Sequence, residues 1–518
     1  MFEGHPKGLW ALALANTGER FGYYTMLAVF FLFLQHNFGF SVGTAGTIQA
    51  TFLGVVYFVP LFGGMLADKF GFGKMVTIGI LVMFLGYLLL ALPLGAGTMA
   101  LVVMVLALLF VCVGTGLFKG NLQVLVGNLY DDPKYAAKRD EGFSIFYMAI
   151  NIGSMFAAAA ALGIMAWMQK DYGVSKADSY HYAFAVACVS LVFSIMIYYT
   201  FRSTFAHADR AKVVAKGATE VVEEELTPAQ TKERIVCLCL VFAVVIFFWM
   251  AFHQNGTTMT QFAEVYTAKS EGGFMSLFLS ESFSFADTRS IWNLVCIILA
   301  VYGLLNIFQS KTAKGKMIAA VLLIASVGVL AYRAMTVTGE VEVKAPIFQQ
   351  FNPCFVVALT PIIMLIFSSL AKKGKEPSAP MKIGLGMLVA GVGFLLLLVG
   401  SMGLLTPDEQ SVALKNGTAS LVSPNWLIST YFVLTIAELF LSPIGISFVS
   451  KVAPPKYKGM MMGGWFVATA IGNFLVAVPA LLWGSLPLYV VWGVLIAICL
   501  VSAIFIFSIL KRLEAVAK

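Results

Sequence analysis

Fourteen long apolar segments, cut apart by short polar stretches, constrain this chain more than any other feature. They run over about 9–35, 43–67, 75–95, 98–127, 142–168, 181–201, 235–265, 289–309, 316–336, 347–371, 382–405, 426–450, 459–484 and 487–510. At about 1.5 Å of rise per residue, most are long enough as helices to cross the hydrocarbon core of a bilayer. A membrane β-barrel would instead show alternating segments of about ten residues. Charged residues are only 12% of the 518 against 60% hydrophobic, where a soluble chain would carry about a quarter charged. The fold class expected is an all-α polytopic membrane protein. The first segment is too long and too polar at its centre for a cleaved signal peptide. The seven cysteines lie in or beside apolar runs without metal-ligand spacing and read as small hydrophobes.

Orientation follows from the basic residues. With the N-terminus on the inner side, 25 of the 34 lysines and arginines fall inside and 7 outside, leaving Arg20 and Lys119 within the membrane. This asymmetry predicts both termini in the cytoplasm. The mixed-charge stretch 202–234 divides the chain into a first half, 1–201, and a second half made of 235–265 and 347–510. Residues 511–518 form a cytoplasmic tail, and 289–336 reads as an inserted two-helix hairpin. The halves share a faint repeat: Phe146-Tyr-Met-Ala-Ile-Asn-Ile-Gly153 echoes Trp465-Phe-Val-Ala-Thr-Ala-Ile-Gly472. Repeated halves with a site between them are a transporter's architecture. No nucleophile–base signature, phosphate loop, metal cluster or nucleic-acid surface is present, so the chain is read as neither an enzyme nor a nucleic-acid binder and is expected to need no cofactor.

The few polar groups inside the segments carry the functional argument. Glu19 and Arg20 stand side by side in the first segment, each costing about 2.5–3.5 kcal/mol at a membrane centre, with Tyr23 and Tyr24 one turn on. Lys119 is central in the fourth segment and Glu438 in 426–450, while His253 interrupts 235–265. Arg20 and Lys119 give the first half positive charge and Glu438 gives the second half negative charge. Such a cavity suits a short peptide, its carboxylate at Arg20 and Lys119 and its ammonium at Glu438. Asn151 and Asn352 are placed to bond the peptide backbone, and the tyrosines and Trp465 to form tolerant side-chain pockets.

Two signatures resemble known families. Gly63-Gly64-Met-Leu-Ala-Asp68-Lys69-Phe-Gly71-Phe-Gly73-Lys74 is similar to the loop signature of the major facilitator superfamily, which implies that Asp68, Lys69 and Lys74 act at the cytoplasmic gate. More specifically, the chain resembles the proton-coupled oligopeptide transporter (POT) family of that superfamily. The resemblance rests on Glu19-Arg20-Phe21-Gly22-Tyr23-Tyr24, Tyr57-Phe-Val-Pro60, Gly114-Thr-Gly-Leu-Phe-Lys119 and Phe146-Tyr147-Met-Ala-Ile-Asn151-Ile-Gly153-Ser154. Asn352-Pro353, Glu438-Leu-Phe-Leu-Ser442-Pro443 and Gly464-Trp465-Phe466 extend it through the second half. It implies a major facilitator fold of two six-helix bundles, here with the extra hairpin. It also implies proton-driven import of di- and tripeptides by alternating access, across a bacterial inner membrane, by a monomer. The substrate-binding residues implied are Arg20, Tyr23, Tyr24, Tyr57, Lys119, Tyr147, Asn151, Asn352, Glu438, Ser442 and Trp465. Transport of another small anion or of a drug on the same fold is the alternative.

The chain also departs from the family pattern. Asn16 replaces the first glutamate of the ExxER motif, Gly120 replaces a proline, and Ala50 stands where mammalian members place a histidine. Leu27 and His253 stand where many members carry a paired arginine and glutamate, and losing both together leaves no unpaired charge behind. Proton coupling is therefore expected at Glu19 and His253 first, with Glu438 as the third proton-coupling residue. An imidazole titrates near neutral pH.

Overall fold

The computed structural model describes residues 4–130, 132–135, 139–209, 226–310, 312–454, 457–484 and 486–517. Fourteen helical spans follow the apolar segments, numbered here in chain order. Span 1 is Lys7–Phe38, span 2 Val42–Ala67, span 3 Phe72–Leu90 and span 4 Thr98–Leu129. Span 5 is Arg139–Tyr172, span 6 Lys176–Thr200 and span 7 Pro228–Tyr266. Spans 8 and 9 are Trp292–Gln309 and Ala313–Thr336. Span 10 is Ala345–Lys372, span 11 Ala379–Gly400, span 12 Asn425–Val452, span 13 Gly463–Leu482 and span 14 Leu488–Ser508. Thirteen of these are long and apolar enough to cross a membrane on composition alone; span 1, with Asn16, Glu19 and Arg20 at its centre, is long enough at 32 residues but more polar.

Side-chain caps mark where several spans begin. Ser41, Ser175, Thr227, Thr312 and Ser378 each accept a backbone N–H from the first turn that follows. Each satisfies a donor that has no partner within the helix. Spans 1–6 pack as one bundle, with span 1 against spans 5 and 6 and span 3 against span 4. Spans 7 and 10–14 form the second, with span 11 against spans 12 and 14 and span 7 against span 13. The bundles meet where span 2 packs on span 13 and span 5 on span 10. Spans 8 and 9 pack chiefly on each other, span 8 touches span 10, and little of their surface is buried.

Outside the helical spans, two loops pair. Ser270–Gly272 pairs with Glu340–Glu342 as a short antiparallel sheet, because the polar loops after span 7 and before span 10 lie alongside one another. Two isolated bridges, Thr267 with Val422 and Trp483 with Leu486, tie down the same end of the second bundle.

Cross-bundle hydrogen bonds among the described residues gather in the half away from the termini. Gln35 bonds Gln261 at 3.0 Å, the Gln49 amide donates to the Gly256 carbonyl at 2.9 Å, and Gln349 donates to the Ala28 carbonyl at 3.3 Å. Glu264 on span 7 adds an ion pair to Lys176 at 3.6 Å and a contact to the His36 ring at 3.8 Å. These contacts join the two bundles over that half.

Candidate functional site

Span 1 carries the first charged group. The Glu19 carboxylate accepts two bonds from the guanidinium of its neighbour, Arg20 Nε and Nη2, each at 2.5 Å, and the two residues are 0% and 2% exposed. The pair is thus closed within one helix and does not engage Lys119, the other partner open to Glu19. The guanidinium lies 4.6 Å from the Tyr23 ring centroid, a cation–π arrangement, and Tyr24 packs edge-on to Tyr23 at 5.3 Å. Among the described residues, the buried Tyr23 hydroxyl and Asn16 amide nitrogen have no hydrogen-bond partner.

Span 1 is held in place by the repeated glycine. A Cβ at Gly153 would lie 2.7 Å from the Thr17 carbonyl oxygen, so only glycine lets span 5 approach this closely. Thr17 Oγ1 then reaches the Ala149 carbonyl at 3.0 Å. Further along span 5, the Asn151 amide donates to the Tyr147 carbonyl at 3.1 Å, and Tyr147 is 46% exposed.

Lys119 on span 4 sits with its ammonium 4.1 Å from the centroid of the Tyr57 ring on span 2. Among the described residues it forms no ion pair. Span 2 breaks beside Tyr57, at Val59, because Pro60 cannot donate to the preceding turn.

Span 12 supplies the opposing charge. The Asn352 amide of span 10 donates at 2.9 Å to Glu438 and at 3.0 Å to Thr435 Oγ1. Glu438 is 8% exposed and has no cationic partner among the described residues. One turn on, Ser442 Oγ is buried with no hydrogen-bond partner among the described residues, and the following Pro443 interrupts the backbone ladder. Trp465 of span 13 is buried, its ring against Gly445 of span 12.

Span 7 is interrupted as the sequence anticipates. The helix Pro228–Phe252 gives way to a 3₁₀ turn, His253–Gly256, before Thr258–Tyr266 resumes. Irregular backbone at membrane depth needs its polar groups satisfied. Gln254 donates to the Met250 and Val476 carbonyls, Gln49 to Gly256, and Tyr431 to the Asn255 carbonyl at 3.1 Å. The His253 ring stacks on Trp249 at 4.9 Å, and its Nδ1 lies 2.5 Å from Asn473 Oδ1 on span 13.

The structure therefore gathers Glu19, Arg20, Tyr23, Tyr24, Tyr57, Lys119 and His253 on one side, and Asn352, Glu438 and Ser442 on the other. Asn473 and Thr435 belong to these clusters and escape the sequence reading. Asn473 directly follows the repeated Gly472, and that adjacency is the signal that could have found it.

The loop signature fares differently. Lys69 and Lys74 flank the Phe70 ring at 5.4 and 5.9 Å from its centroid, and Asp68 lies in the helix Pro60–Phe70 with its side chain outside the described ones. The carboxylate found at this face is Asp209, which accepts the Gly73 N–H at 2.7 Å and so caps the start of span 3.

The family model described as PTR2, POT family, matches residues 73–223 and 324–484. A transporter of Bacillus subtilis (strain 168), uncharacterised YclF, is 29% identical over 99% of this chain and 95% of its own length. The peptide transporter YePEPT of Yersinia enterocolitica is 29% identical, with 91% of this chain and 87% of the relative covered. Dipeptide and tripeptide permease A of Escherichia coli (strain K12) is 26% identical over 91% of this chain and 83% of the permease. A crystal structure of a peptide transporter POT in complex with alafosfalin shares the fold, with a TM-score of 0.72 at 22% identity over 100% of this chain and 97% of that one. With matches to both halves and over the full fold, this chain belongs to the POT family.

Proposed function

We propose that this protein is a proton-coupled symporter that imports di- and tripeptides across the bacterial inner membrane by alternating access. Its family is one of transporters, which sets enzymatic readings aside. One observation carries the substrate class: a lysine from the first bundle and a glutamate from the second, Lys119 and Glu438, both lack an ion pair among the described residues. A buried charge without a partner is costly, and a zwitterion with a carboxylate at one end and an ammonium at the other satisfies both. Arg20 is neutralised by Glu19 and serves the carboxylate end only when that pair opens. Asn352, already bonded to Glu438, and the unpartnered Ser442 and Tyr23 hydroxyls offer the remaining polar contacts. An anion-only substrate would leave Glu438 unsatisfied. The names of the YePEPT and permease relatives support the peptide reading.

Glu19 and His253 are the groups we assign to proton coupling. Protonating Glu19 frees Arg20 for the peptide carboxylate, and losing that proton restores the pair. The 25 basic residues on the terminal side support cytoplasmic termini and the division into bundles 1–201 and 235–265 with 347–510, joined by 202–234, with 289–336 as an inserted hairpin and 511–518 as a tail. On this orientation the half in which Gln35, Gln49 and Gln349 bond across the bundles faces outward. The protein acts as a monomer in the lipid bilayer and needs the proton alone as coupling ion.

Uptake into liposomes tests the reading. Labelled di- and tripeptides should accumulate under an inward proton gradient, and a protonophore should abolish accumulation. Unlabelled dialanine should compete far better than its N-acetylated form. Equal competition by the two would overturn the two-ended site, and export under the same gradient would overturn symport.

A further inference from the structure

The bond between His253 and Asn473 fixes more than the position of a ring. Asn473 Nδ2 donates to the Leu53 carbonyl of span 2 at 3.4 Å, while Oδ1 faces the imidazole at 2.5 Å. A carbonyl can only accept, so the amide nitrogen must face Leu53 and the amide oxygen must face the ring. An amide oxygen likewise only accepts, so His253 Nδ1 carries the hydrogen, and Nε2 is the nitrogen left with a lone pair. Gly472 makes the contact possible. A Cβ there would sit 2.9 Å from Trp249 Cβ, pushing span 13 off span 7 and Asn473 away from the ring.

The surroundings of His253 hold little charge. Its own span gives Trp249 and Phe252, span 13 gives the neutral Asn473, and span 2 gives Tyr57, whose ring centroid is 6.5 Å away. Among the described residues, the charged group that shares Tyr57 with it is Lys119 of span 4, its ammonium 4.1 Å from the Tyr57 ring centroid, and the Glu19–Arg20 pair of span 1 is the further charge of this cluster.

We propose that Asn473 is the positioning residue of proton coupling: it holds His253 as the Nδ1–H tautomer so that the transported proton is received at Nε2, and a peptide carboxylate on Lys119 makes that protonation favourable. This rests on His253 being a proton carrier. A proton on Nε2, taken from water and later returned to water, makes a second cation next to Lys119, and like charges oppose it. A peptide carboxylate at Lys119 removes the opposition. By reciprocity, the proton on His253 tightens the hold on the carboxylate by the same factor. Symport then needs no acidic residue on span 7.

The experiment measures dialanine binding by purified protein between about pH 8 and pH 6, where imidazole titrates, alongside counterflow exchange and melting temperature. The parent protein should bind dialanine at least about threefold more tightly at the lower pH, a modest coupling. Dialanine amide, which lacks the carboxylate, should show no such gain. Asn473→Ala should flatten the pH profile while counterflow continues. Asn473→Asp, which pairs an anion with the imidazole and keeps the proton, should bind tightly across the range yet fail to accumulate peptide. If His253→Gln retains the parent pH profile, the proton-carrier reading itself fails. If His253→Gln loses the profile but both Asn473 variants keep it, the positioning role is overturned. Should Asn473→Ala not fold, Asn473→Asp and Asn473→Ser decide by the same profile.

Discussion

Spans 1 and 5 meet in the same manner as spans 7 and 13, yet the two contacts hold different chemistry. In the first, Gly153 brings span 5 onto the Thr17 backbone, and the group nearby is the Glu19–Arg20 ion pair. In the second, Gly472 brings span 13 onto Ile246 and Trp249, and the group nearby is the uncharged His253–Asn473 pair. The faint sequence repeat thus preserves a backbone approach, while the side chains beside it have diverged. One bundle stores Glu19 and Arg20 as a closed pair and leaves Lys119 without an ion pair among the described residues. The other leaves Glu438 open and keeps a titratable ring in reserve.

That contrast can be broken by substitution, beginning with the largest effect. Glu19→Gln leaves a buried guanidinium unpaired and should destabilise the first bundle by about 3–5 kcal/mol. Thermal unfolding in detergent checks this, and a second change of Arg20→Met should restore much of the loss. His253→Gln should leave melting nearly unchanged, since no charge is orphaned. Next in size, Lys119→Ala or Glu438→Gln should weaken dialanine binding by about 2–5 kcal/mol, as for a truncated buried charge contact. Calorimetric titration measures it, and unaltered affinity in both would refute the two-ended site. Gly153→Ala and Gly472→Ala should each cost about 1–3 kcal/mol by overpacking, with comparable falls in melting temperature if the two contacts are equivalent. A marked difference between the two falls would show that the repeat is only nominal.

The smallest expected effect lies outside the bundles. The helix Pro407–Asn416 begins with a capping box between Thr406 and Glu409, and bonds from Thr406 hold the Glu409 carboxyl below its usual value. A depressed carboxyl stabilises above its unfolded value and loses the contribution as pH falls through the folded one. Thr406→Ala should therefore lower melting slightly at neutral pH, less in acid, and leave peptide uptake intact. Loss of uptake in this variant would place the second bundle's outer cap in the transport cycle.

The spans were readable from sequence because long apolar runs have few other uses. Lys119 and Glu438 were readable because a lone charge in such a run demands a reason. The partner of Glu19 was not readable: Arg20 and Lys119 are both suitable cations, and the choice depends on rotamers. Asn473 was missed because an amide is cheap in an apolar run, and the imidazole it contacts lies 220 positions earlier in the chain. Asp209 was missed because the loop signature drew attention to Asp68, whereas the capped N–H belongs to Gly73. The short sheet escaped because three-residue strands carry no periodicity.

The adjacency of Glu19 and Arg20 has a mechanical consequence. Since both ends of the bidentate contact sit on consecutive residues of one helix, span 1 carries its own counter-ion wherever it goes. A rocking motion that slides span 1 past spans 4 or 5 neither stretches nor exposes this pair, so it opposes no displacement. The two charges part only when a third charge or a proton arrives. In the proposed cycle they serve as a chemical trigger that is indifferent to the swing of the bundle housing it.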